Sequence, residues 1–569
     1  MNKFMHARLT GTAALVSLLL SACGGGGGTT GSTGTVTGTG TSLTGMIVAP
    51  VGTQVVLQNN GGDNLNVTVP AVSGSSDDYN EQAFTFASTQ LDGAAYLVSV
   101  LLAPVNQTCS VYKGASGTMP VAATALKAGC EYNYDLLSRS SDDSVLSYGT
   151  YNHASAIGGA AGAVASNATG WGEGRFVAFV SYAPGLAAGV SGSIRQVFWR
   201  DRLSGQTILV SAAAGGAEGN GDSWAPAISA DGLTVVFESY ASNLVAGDTN
   251  GVRDVFVWSA VGGVLPTSVQ RASVNTAGTE GNAASFEPTV SGDGKVVAFS
   301  TYASNLAGTV AGTTNTNVIR RDLAGNTNTL VSHANGSVSE GNFGSSRPSI
   351  SEDGTRIAFW SYASDLVAGD TNGLWDIFVY DTTNGLARVS LAAGGGERNQ
   401  GGDSISGIVS PTISGNGRYV AYSTTSTNVV AGDTNAAQDV FVVDTLTSGA
   451  GLNVVRASVS SAGVQGNAAS PVGQGERVAL SYDSTWIAFN TMANNLGTTA
   501  YNVVMRNLVT GETRVVSSTS GSYTDYVSMS RTGAYVSFLT GTQGLDTRFN
   551  SSGLVARFTG VARAWAWVD

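Results

Sequence analysis

SEDGTRIAF, residues 351–359, is the stretch that decides the fold: a Gly-containing turn followed by an alternating apolar strand that ends in an aromatic residue. The phrase recurs as SADGLTVVF at residues 229–237 and as SGDGKVVAF at residues 291–299. Seven copies occur, and their last aromatic residues are Phe179, Phe237, Phe299, Phe359, Tyr422, Phe489 and Phe538. The copies lie about 60 residues apart, and a strand-rich repeat of that period is typical of a β-propeller.

Each repeat contains four short alternating runs, which is what one propeller blade requires. The fullest copies, residues 226–258 and 348–381, read Pro-x-Ile-Ser, an Asp-Gly turn, an apolar strand and then Asp-Val-Phe-Val or a close variant. This pattern resembles the TolB-like, or WD-like, propeller repeat, and the resemblance implies protein–protein interaction in the periplasm. The sequence therefore predicts an all-β chain with a seven-bladed propeller over residues 151–569. Periodicity leaves open six full blades plus one shared between the termini, and it assigns the last two strands to residues 555–558 and 562–568.

Residues 45–150 have a different pattern, with short alternating strands separated by turn signals, and predict a small β-sandwich. The phrases VVLQNNGGDNLNV, FTFAS and NQTCSV resemble immunoglobulin-like modules of bacterial surface proteins, where they act as spacers or adhesive units. Cys109 and Cys130 are the two cysteines left after Cys23, and in an exported protein a disulfide between them is expected.

Residues 1–22 have a positive start and a short apolar run, as in a signal peptide. They end in Leu-Ser-Ala before Cys23, which resembles the lipobox of bacterial lipoproteins and implies that Cys23 carries the lipid. Gly24 rather than Asp follows, which in the best-known sorting rule implies the outer membrane. Residues 23–44 are then a lipidated Cys and a flexible linker rich in Gly, Thr and Ser. A lipid anchor is the only predicted membrane attachment.

Charge excludes one class of partner. The net charge is −12, and residues 1–22 hold two of the basic residues and none of the acidic ones, so the mature chain carries −14. Phosphate backbones are repelled by such a surface, so nucleic acid is not a predicted partner.

Signatures of catalysis are nearly missing from the sequence. His153 and His333 are the histidines that remain after the signal peptide, and neither accompanies a nucleophile motif. The prediction is a protein that is not an enzyme, although acids such as Asp222, Glu238 and Glu287 leave a hydrolase or lyase as an alternative.

Three repeats contain Gly-Asp-Thr-Asn-x-x-x-Asp, whose oxygen donors form part of a calcium-loop pattern. The donors are Asp248, Asn250 and Asp254, then Asp370, Asn372 and Asp376, then Asp433, Asn435 and Asp439. The pattern lacks the usual acids at positions 5 and 12, so the favoured interpretation is a turn in which Asp side chains cap backbone N–H groups. Weak calcium binding is the other interpretation, and no other cofactor is predicted.

A second phrase, Gly-Asn-x-x-Ser-x-x-Pro, precedes the first strand of several blades and places its variable residues on one rim of the channel. These residues are Trp224, Phe286, Glu287, Phe343 and Arg347. They form either a partner-binding rim or wedges between blades. The sequence thus predicts a lipid-anchored, non-catalytic envelope scaffold that binds another envelope protein or a glycan. The alternative is a surface adhesin or polysaccharide-binding lipoprotein, with calcium assisting.

Overall fold

The computed structural model describes most of the chain from residue 40 onward. The described ranges are 40–70, 79–104, 107–120, 126–132, 134–136, 155–158, 174–202, 204–260, 269–307, 315–399, 410–446, 453–471, 478–496, 502–517, 524–540 and 553–558. The predicted signal peptide, Cys23, His153 and residues 562–568 lie outside these ranges. No helix within the ranges is long and apolar enough to span a membrane.

The N-terminal module is a sandwich of two four-stranded sheets, as predicted. Its strands are β1 (Thr41–Pro50), β2 (Gln54–Asn59), β3 (Asp63–Thr68), β4 (Tyr79–Gln90), β5 (Ala95–Leu102), β6 (Gln107–Lys113), β7 (Ser116–Thr118) and β8 (Lys127–Tyr132). One sheet has the order β4-β1-β8-β6 and the other β3-β2-β5-β7, with β1 and β8 parallel. Alternate residues of both sheets, including Ile47, Leu57 and Phe86, form one buried core.

Cys109 and Cys130 are bonded, as predicted, and lie directly opposite each other on β6 and β8. The bond closes a loop with a sequence separation of 21 residues. We expect its reduction to lower the free energy of unfolding of the sandwich by about 3 kcal/mol, because the unfolded chain regains the entropy of that loop. Chemical denaturation with and without reductant, followed by far-UV circular dichroism, measures the difference. An unfolding transition of the sandwich that stays the same after reduction would contradict the prediction.

Seven four-stranded sheets follow within the described residues, so the repeats form seven blades. Blade 1 holds β10 (Ser155–Gly158), β11 (Phe176–Ser181), β12 (Gln196–Asp201) and β13 (Thr207–Leu209); blade 2 holds β14 (Ser223–Ile228), β15 (Thr234–Ser239), β16 (Asp254–Ser259) and β17 (Gln270–Arg271); blade 3 holds β18 (Ser285–Val290), β19 (Val296–Thr301), β20 (Asn317–Asp322) and β21 (Thr327–Leu330). Blade 4 holds β22 (Ser345–Ile350), β23 (Arg356–Ser361), β24 (Asp376–Asp381) and β25 (Gly385–Arg388); blade 5 holds β26 (Thr412–Ile413), β27 (Tyr419–Thr424), β28 (Asp439–Asp444) and β29 (Asn453–Arg456). Blade 6 holds β30 (Ala479–Leu480), β31 (Trp486–Thr491), β32 (Asn502–Asn507) and β33 (Thr513–Val515), with a 3₁₀ turn at Asn494–Leu496 before β32. Blade 7 holds β34 (Thr524–Met529), β35 (Tyr535–Thr540) and β36 (Gly553–Phe558).

The repeated phrase forms the second strand of each blade, and its final aromatic residue is buried between blades. Phe237, for example, is 0% exposed and stacks on Phe256 of the third strand at 5.7 Å between ring centroids. The Asp-Gly turn before the strand is structural, as predicted: Gly354 has φ +70°, and Asp353 accepts hydrogen bonds within the turn. A fully buried Phe side chain contributes about 2–3 kcal/mol, so the phrase is the main source of blade-to-blade cohesion.

The outer strand of blade 7 comes from before the repeats. It is β9 (Tyr134–Leu136), which pairs antiparallel with β36. The predicted boundary at residue 150 is therefore wrong for Tyr134–Leu136, which pair with blade 7, and blade 7 is shared between the two ends, as the alternative had it. Residues 562–568, predicted to form the last strand, lie outside the described residues. The first strands of blades 1 and 7, β10 and β34, contact each other, so the ring is closed by strands from both ends of the repeat region.

The rim formed by the turns between first and second strands is tied together across blades, and we call it the turn rim. Backbone N–H groups of Ala230, Gly292 and Glu352 donate to carbonyls of the next blade at 2.8–3.0 Å. Glu352 of blade 4 also pairs with Arg531 of blade 7 at 3.3 Å, and the Arg531 guanidinium lies 3.9 Å from the ring centroid of Tyr482. Side chains from opposite sides of the ring therefore meet at this end of the channel.

Candidate functional site

The three Asp-Thr-Asn loops lie at the opposite rim, between the second and third strands of blades 2, 4 and 5. In each loop the Asn forms the turn: Asn250 Oδ1 accepts from Val252 N–H at 3.0 Å, and its Nδ2 donates to Asp254 at 2.9 Å. Asn372 and Asn435 make the same contacts. The loops are turns, as the favoured interpretation has it, but the Asn side chain accepts the backbone N–H, whereas Asp254 accepts from the side chains of Asn250, Arg271 and Ser273.

An arginine of the outer strand lies among the acids of each loop. Arg271 Nη1 lies 3.2 Å from Asp254, 3.8 Å from Asp248 and 2.5 Å from Glu280. Asp254 is fully buried and also accepts a hydrogen bond from Ser273 Oγ. The guanidinium thus supplies the positive charge that these carboxylates require when buried.

Blades 4 and 5 repeat the arrangement. Arg388 lies 2.7 Å from Asp370 and 2.8 Å from Glu397, and burial raises the pKa of Asp370 to about 6 although Arg388 opposes the shift. In blade 5, Arg456 lies 3.4 Å from Asp433 and 3.6 Å from Asp439.

The other blades show that the acids and the arginine occur together. Where the third strand begins with Asp, the outer strand carries Arg opposite the residue two positions after that Asp. The resulting pairs are Asp254 with Arg271, Asp376 with Arg388 and Asp439 with Arg456. Where it begins with Gln or Asn, the same outer position is apolar; the pairs are Gln196 with Leu209, Asn317 with Leu330 and Asn502 with Val515. A blade therefore has either a buried Asp with an Arg at this place or a neutral Gln or Asn with an apolar residue.

Carboxylate oxygens in two of these loops, from Asp248, Asp254 and Glu280 and from Asp370, Asp376 and Glu397, lie within 4.8 Å of one another, a spacing that suits a metal ion. The same oxygens accept from Arg, Ser and Asn, so calcium binding requires displacement of a guanidinium. We therefore expect about 10 mM Ca²⁺, ten times the weakest usual dissociation constant, to leave the melting temperature unchanged. A rise in melting temperature that Asp370→Ala with Asp376→Ala abolishes would instead establish a calcium site.

Aromatic and arginine side chains of blades 1–4 form a continuous band at the same rim, and we call it the aromatic rim. Its members are Tyr182, Arg195, Trp224, Tyr240, Arg253, Phe286, Tyr302, Phe343, Arg347, Trp360, Tyr362 and Trp375. Most come from the start of the first strand, the residue after the second strand and the residue before the third; Trp360 lies within the second strand of blade 4, and Phe343 lies in the loop before its first strand. These positions lie together because the ends of three neighbouring strands are in register: Ser223 pairs with Ser239, and Ser239 pairs with Asp254.

In blades 1–3 the band alternates rings and guanidinium groups. The Arg253 guanidinium lies 4.6 Å from the Phe286 ring centroid and 5.6 Å from that of Trp224. The Arg195 guanidinium lies 5.9 Å from the Trp224 ring centroid, and Arg195 Nε donates to Tyr182 Oη at 2.6 Å. Arg253 thus joins blade 2 to blade 3, and Arg195 joins blade 1 to blade 2.

In blade 4 the band consists mainly of rings. Trp360 and Trp375 stack at 4.2 Å between centroids, and Tyr362 lies 5.4 Å from Trp375. Phe343 meets Tyr362 edge to face at 5.3 Å. Arg347 lies 4.8 Å from the Trp360 ring and pairs at 3.6 Å with Glu287 of blade 3, so an ion pair joins the two blades.

The predicted rim residues therefore lie on one rim, and four of the five belong to the first strands rather than to the loops before them. Phe343 is the one in a loop. Trp224 also packs against the blade 2 core, so the wedge interpretation describes part of its surface. Glu287 and Arg347 have positive φ, 54° and 55°, at equivalent bulges of β18 and β22. The bulge turns these side chains out of the regular alternation of the strand.

The aromatic rim does not continue at the described positions of blades 5 and 6. The residue after the second strand is Tyr in blades 1–4 but Thr425 in blade 5 and Met492 in blade 6. The residue before the third strand is Gln438 in blade 5, where blade 4 has Trp375. Within the described residues, the aromatic rim is therefore confined to blades 1–4.

Glu238 lies beneath the aromatic rim and holds it together. It is 2% exposed, accepts from Arg253 Nη1 at 2.9 Å and accepts from the backbone N–H of Glu287 at 2.6 Å. Burial raises the pKa of Glu238 to about 7, against the opposing effect of Arg253. Glu287 in turn accepts from Ser300 Oγ and from Arg347 N–H.

This shift predicts how stability depends on pH. The folded protein keeps the Glu238 proton up to about pH 7, whereas the unfolded chain loses it near pH 4.5, so the free energy of unfolding falls as pH rises between these values. The fall from this group is on the order of 3 kcal/mol. We expect Glu238→Gln to match the wild type at pH 5 and to be the more stable protein at pH 8. Urea denaturation at both pH values measures this, and a pH-independent difference would contradict it.

Sequence reasoning missed the arginines of the loops and most of the aromatic rim. A signal for both was present: Arg-x-Ser recurs at residues 271, 388 and 456, in the same three repeats as the Asp-Thr-Asn loops. Tyr recurs in the phrases at residues 181–183, 239–241, 301–303 and 361–363, and is replaced in the next two repeats.

Comparisons with known proteins do not show a family for this chain. No protein-family model matches the sequence, and no curated protein is significantly similar to it. TolB from Acinetobacter baumannii is similar in structure at 14% identity and a TM-score of 0.31, over 56% of this chain and 58% of TolB. The propeller domain of the Trilobed protease from Pyrococcus furiosus is similar at 12% identity and 0.39, over 74% and 100%.

Oligogalacturonate lyase from Vibrio parahaemolyticus is a third similar structure, at 9% identity and a TM-score of 0.41 over 68% of this chain and 88% of the lyase. The chain spans less than two thirds of the A. baumannii TolB that it matches. These values are too low to transfer any activity, substrate or partner.

Proposed function

We propose that this chain is a lipid-anchored protein of the bacterial cell envelope whose propeller is a non-catalytic scaffold that binds an envelope partner, a protein or a glycan, on the aromatic rim. The observation that carries the proposal is the aromatic rim itself. Several of its rings are well exposed, among them Tyr240 at 53%, Phe343 at 49% and Tyr302 at 43%. Large aromatic side chains that stay in contact with water on one side of a rim are typical of a binding surface.

The composition of the rim supports binding. Trp, Tyr and Arg are the residues that contribute most to binding energy at interfaces: Trp and Tyr bury a large area and lose few rotamers, and Arg forms several hydrogen bonds from one planar group. The contacts between rings and guanidinium groups hold the rim in place before a partner arrives, which lowers the entropy cost of association. Because the Glu352–Arg531 pair brings side chains from opposite sides of the ring together at the turn rim, a partner has easier access to the propeller from the aromatic rim.

The acids near the channel support a non-catalytic role. Both oxygens of Glu238 accept hydrogen bonds from the protein and its side chain is buried, so a substrate has no access to it. Asp222 Oδ1 accepts from the Arg195 backbone N–H. A hydrolase or lyase that used Asp222, Glu238 and Glu287 would need at least one exposed carboxyl with a proton to give.

The envelope location rests on the sequence before the sandwich, where the lipobox-like ending precedes Cys23. Cys23→Ser should release the protein into the soluble fraction after cell lysis, because the acyl chains would have no attachment point. Retention of this variant in washed membranes would contradict lipid anchoring.

Binding is tested by capture from solubilised envelope. Immobilised wild-type protein is compared with Tyr240→Ala combined with Phe343→Ala, two exposed rings whose loss should not disturb the core. Leu446→Ala is the control, because Leu446 is 63% exposed and follows β28 at the turn rim. We expect material that the wild type and the control retain and the double variant does not. Equal retention by all three would contradict a role for the aromatic rim.

A further inference from the structure

We infer that the partner on the aromatic rim is a polysaccharide with isolated acid groups, whose sugar rings stack on the aromatic side chains and one of whose acid groups pairs with Arg195. Isolated acid groups are repelled less by the net charge of −14 than a phosphate backbone, because their charge is less dense. The inference rests on the proposed function, since it names the ligand of the same surface. Three features of the aromatic rim carry it: the kind of apolar side chain, the polar groups between the rings, and the one guanidinium that lacks an acidic partner.

The apolar surface of the aromatic rim is made of rings and not of aliphatic side chains. Its exposed apolar members are Tyr240, Tyr302, Phe343 and Tyr362. The negative face of an aromatic ring attracts the weakly positive C–H groups on one face of a pyranose, so a flat ring suits a sugar.

Polar side chains lie between the rings, where a sugar stacked on a ring would present its hydroxyl groups. Arg253 pairs with Glu238 at 2.9 Å between the rings of Trp224 and Phe286, and Arg347 lies 3.6 Å from Glu287 beside Trp360. Glu238 is buried and only holds Arg253 in place, whereas the side chains of Arg253, Glu287 and Arg347 are partly exposed beside the rings and can meet sugar hydroxyls. A sugar has an apolar face and a polar edge, and this alternation matches both.

Arg195 differs from the other two arginines. Arg253 and Arg347 each pair with a glutamate, whereas Arg195 has no ion pair within the described part of the chain. Its side chain donates one described hydrogen bond, from Nε to Tyr182 Oη, and its charge lies against the rings of Tyr182 and Trp224. A half-buried guanidinium with unused N–H donors at the end of an aromatic band suits a carboxylate on the ligand.

The test divides solubilised envelope into a sample digested with proteinase K and a sample oxidised with periodate, which cleaves sugar diols. Wild-type protein and Tyr240→Ala with Phe343→Ala are used for capture, and the double variant should retain about tenfold less, as expected for the loss of two ring contacts. We expect the captured ligand to survive proteinase and to be lost after periodate. Loss after proteinase and survival after periodate would overturn the inference in favour of a protein partner, while the proposed function would stand. If the wild type and the double variant retained equal amounts from both samples, the proposed function itself would be overturned.

The acid group is tested on the proteinase-treated ligand with its carboxyls blocked by carbodiimide-coupled amidation. Blocking should weaken wild-type binding about tenfold, as for the loss of one charge-assisted hydrogen-bonded pair, and should not weaken Arg195→Gln further. Arg531→Gln at the turn rim is the control and should respond as the wild type does. Equal binding of blocked and free ligand to the wild type would overturn the acidic assignment.

Discussion

Arg271→Ala is expected to lower the free energy of unfolding by about 3–5 kcal/mol, because it leaves buried carboxylates without their cation. Asp254 is 0% exposed, and the Asp248 side chain is 4% exposed. Within the described residues Arg271 is the only cation paired with this group. Equilibrium urea denaturation measures the loss.

Two control variants separate charge compensation from other losses. Arg418 pairs with Asp444 at 2.6 Å but its side chain is 46% exposed, so Arg418→Ala should cost about 1 kcal/mol or less. The triple variant Asp248→Val, Asp254→Gln and Arg271→Leu copies blade 1, where Val190, Gln196 and Leu209 hold the same positions. It should be markedly more stable than Arg271→Ala alone. A triple variant as unstable as the single one would contradict the idea that the arginine serves to neutralise the acids.

A chain that begins at residue 151 is expected to lose roughly 3 kcal/mol of propeller stability and to aggregate on heating. It lacks β9, so three residue pairs with β36 are lost and β36 becomes an unpaired edge strand. Because the first and last blades are neighbours in the ring, the weakened blade 7 also loosens its contact with blade 1. Differential scanning calorimetry and light scattering measure both effects.

The matched control begins at residue 134 and keeps β9 while it removes the whole sandwich. Its propeller transition should stay close to that of the full chain. If the two truncated chains melted alike, the closing strand would have no role in stability.

The repeats, the sandwich and the disulfide pair could all be predicted from the sequence, because each depends on local order. Alternation with a period of two defines a strand, and an Asp-Gly pair defines a turn, whatever lies elsewhere in the chain. Seven copies of one phrase then led to seven blades. The cysteine pair followed from export and from the number of cysteines.

Pairing between distant segments was decided by the tertiary structure. Nothing in the periodicity of the repeats shows that Tyr134–Leu136 completes blade 7, because a three-residue strand carries little pattern and its partner β36 lies more than four hundred residues away. The calcium-like loops are a similar case. The spacing of Asp248, Asn250 and Asp254 is local, whereas the arginine that lies among their oxygens reaches them across the sheet from the outer strand.

The aromatic rim shows the division most clearly. The sequence by itself determined that aromatic and charged residues recur near the ends of strands, and five of them were predicted to share a rim. The tertiary structure decided that three separate segments of each blade meet at one sheet edge, and that four neighbouring blades join their rings and arginines into one band. The physical reason is that the strand register and the closure of the ring, not the spacing along the chain, determine which side chains become neighbours.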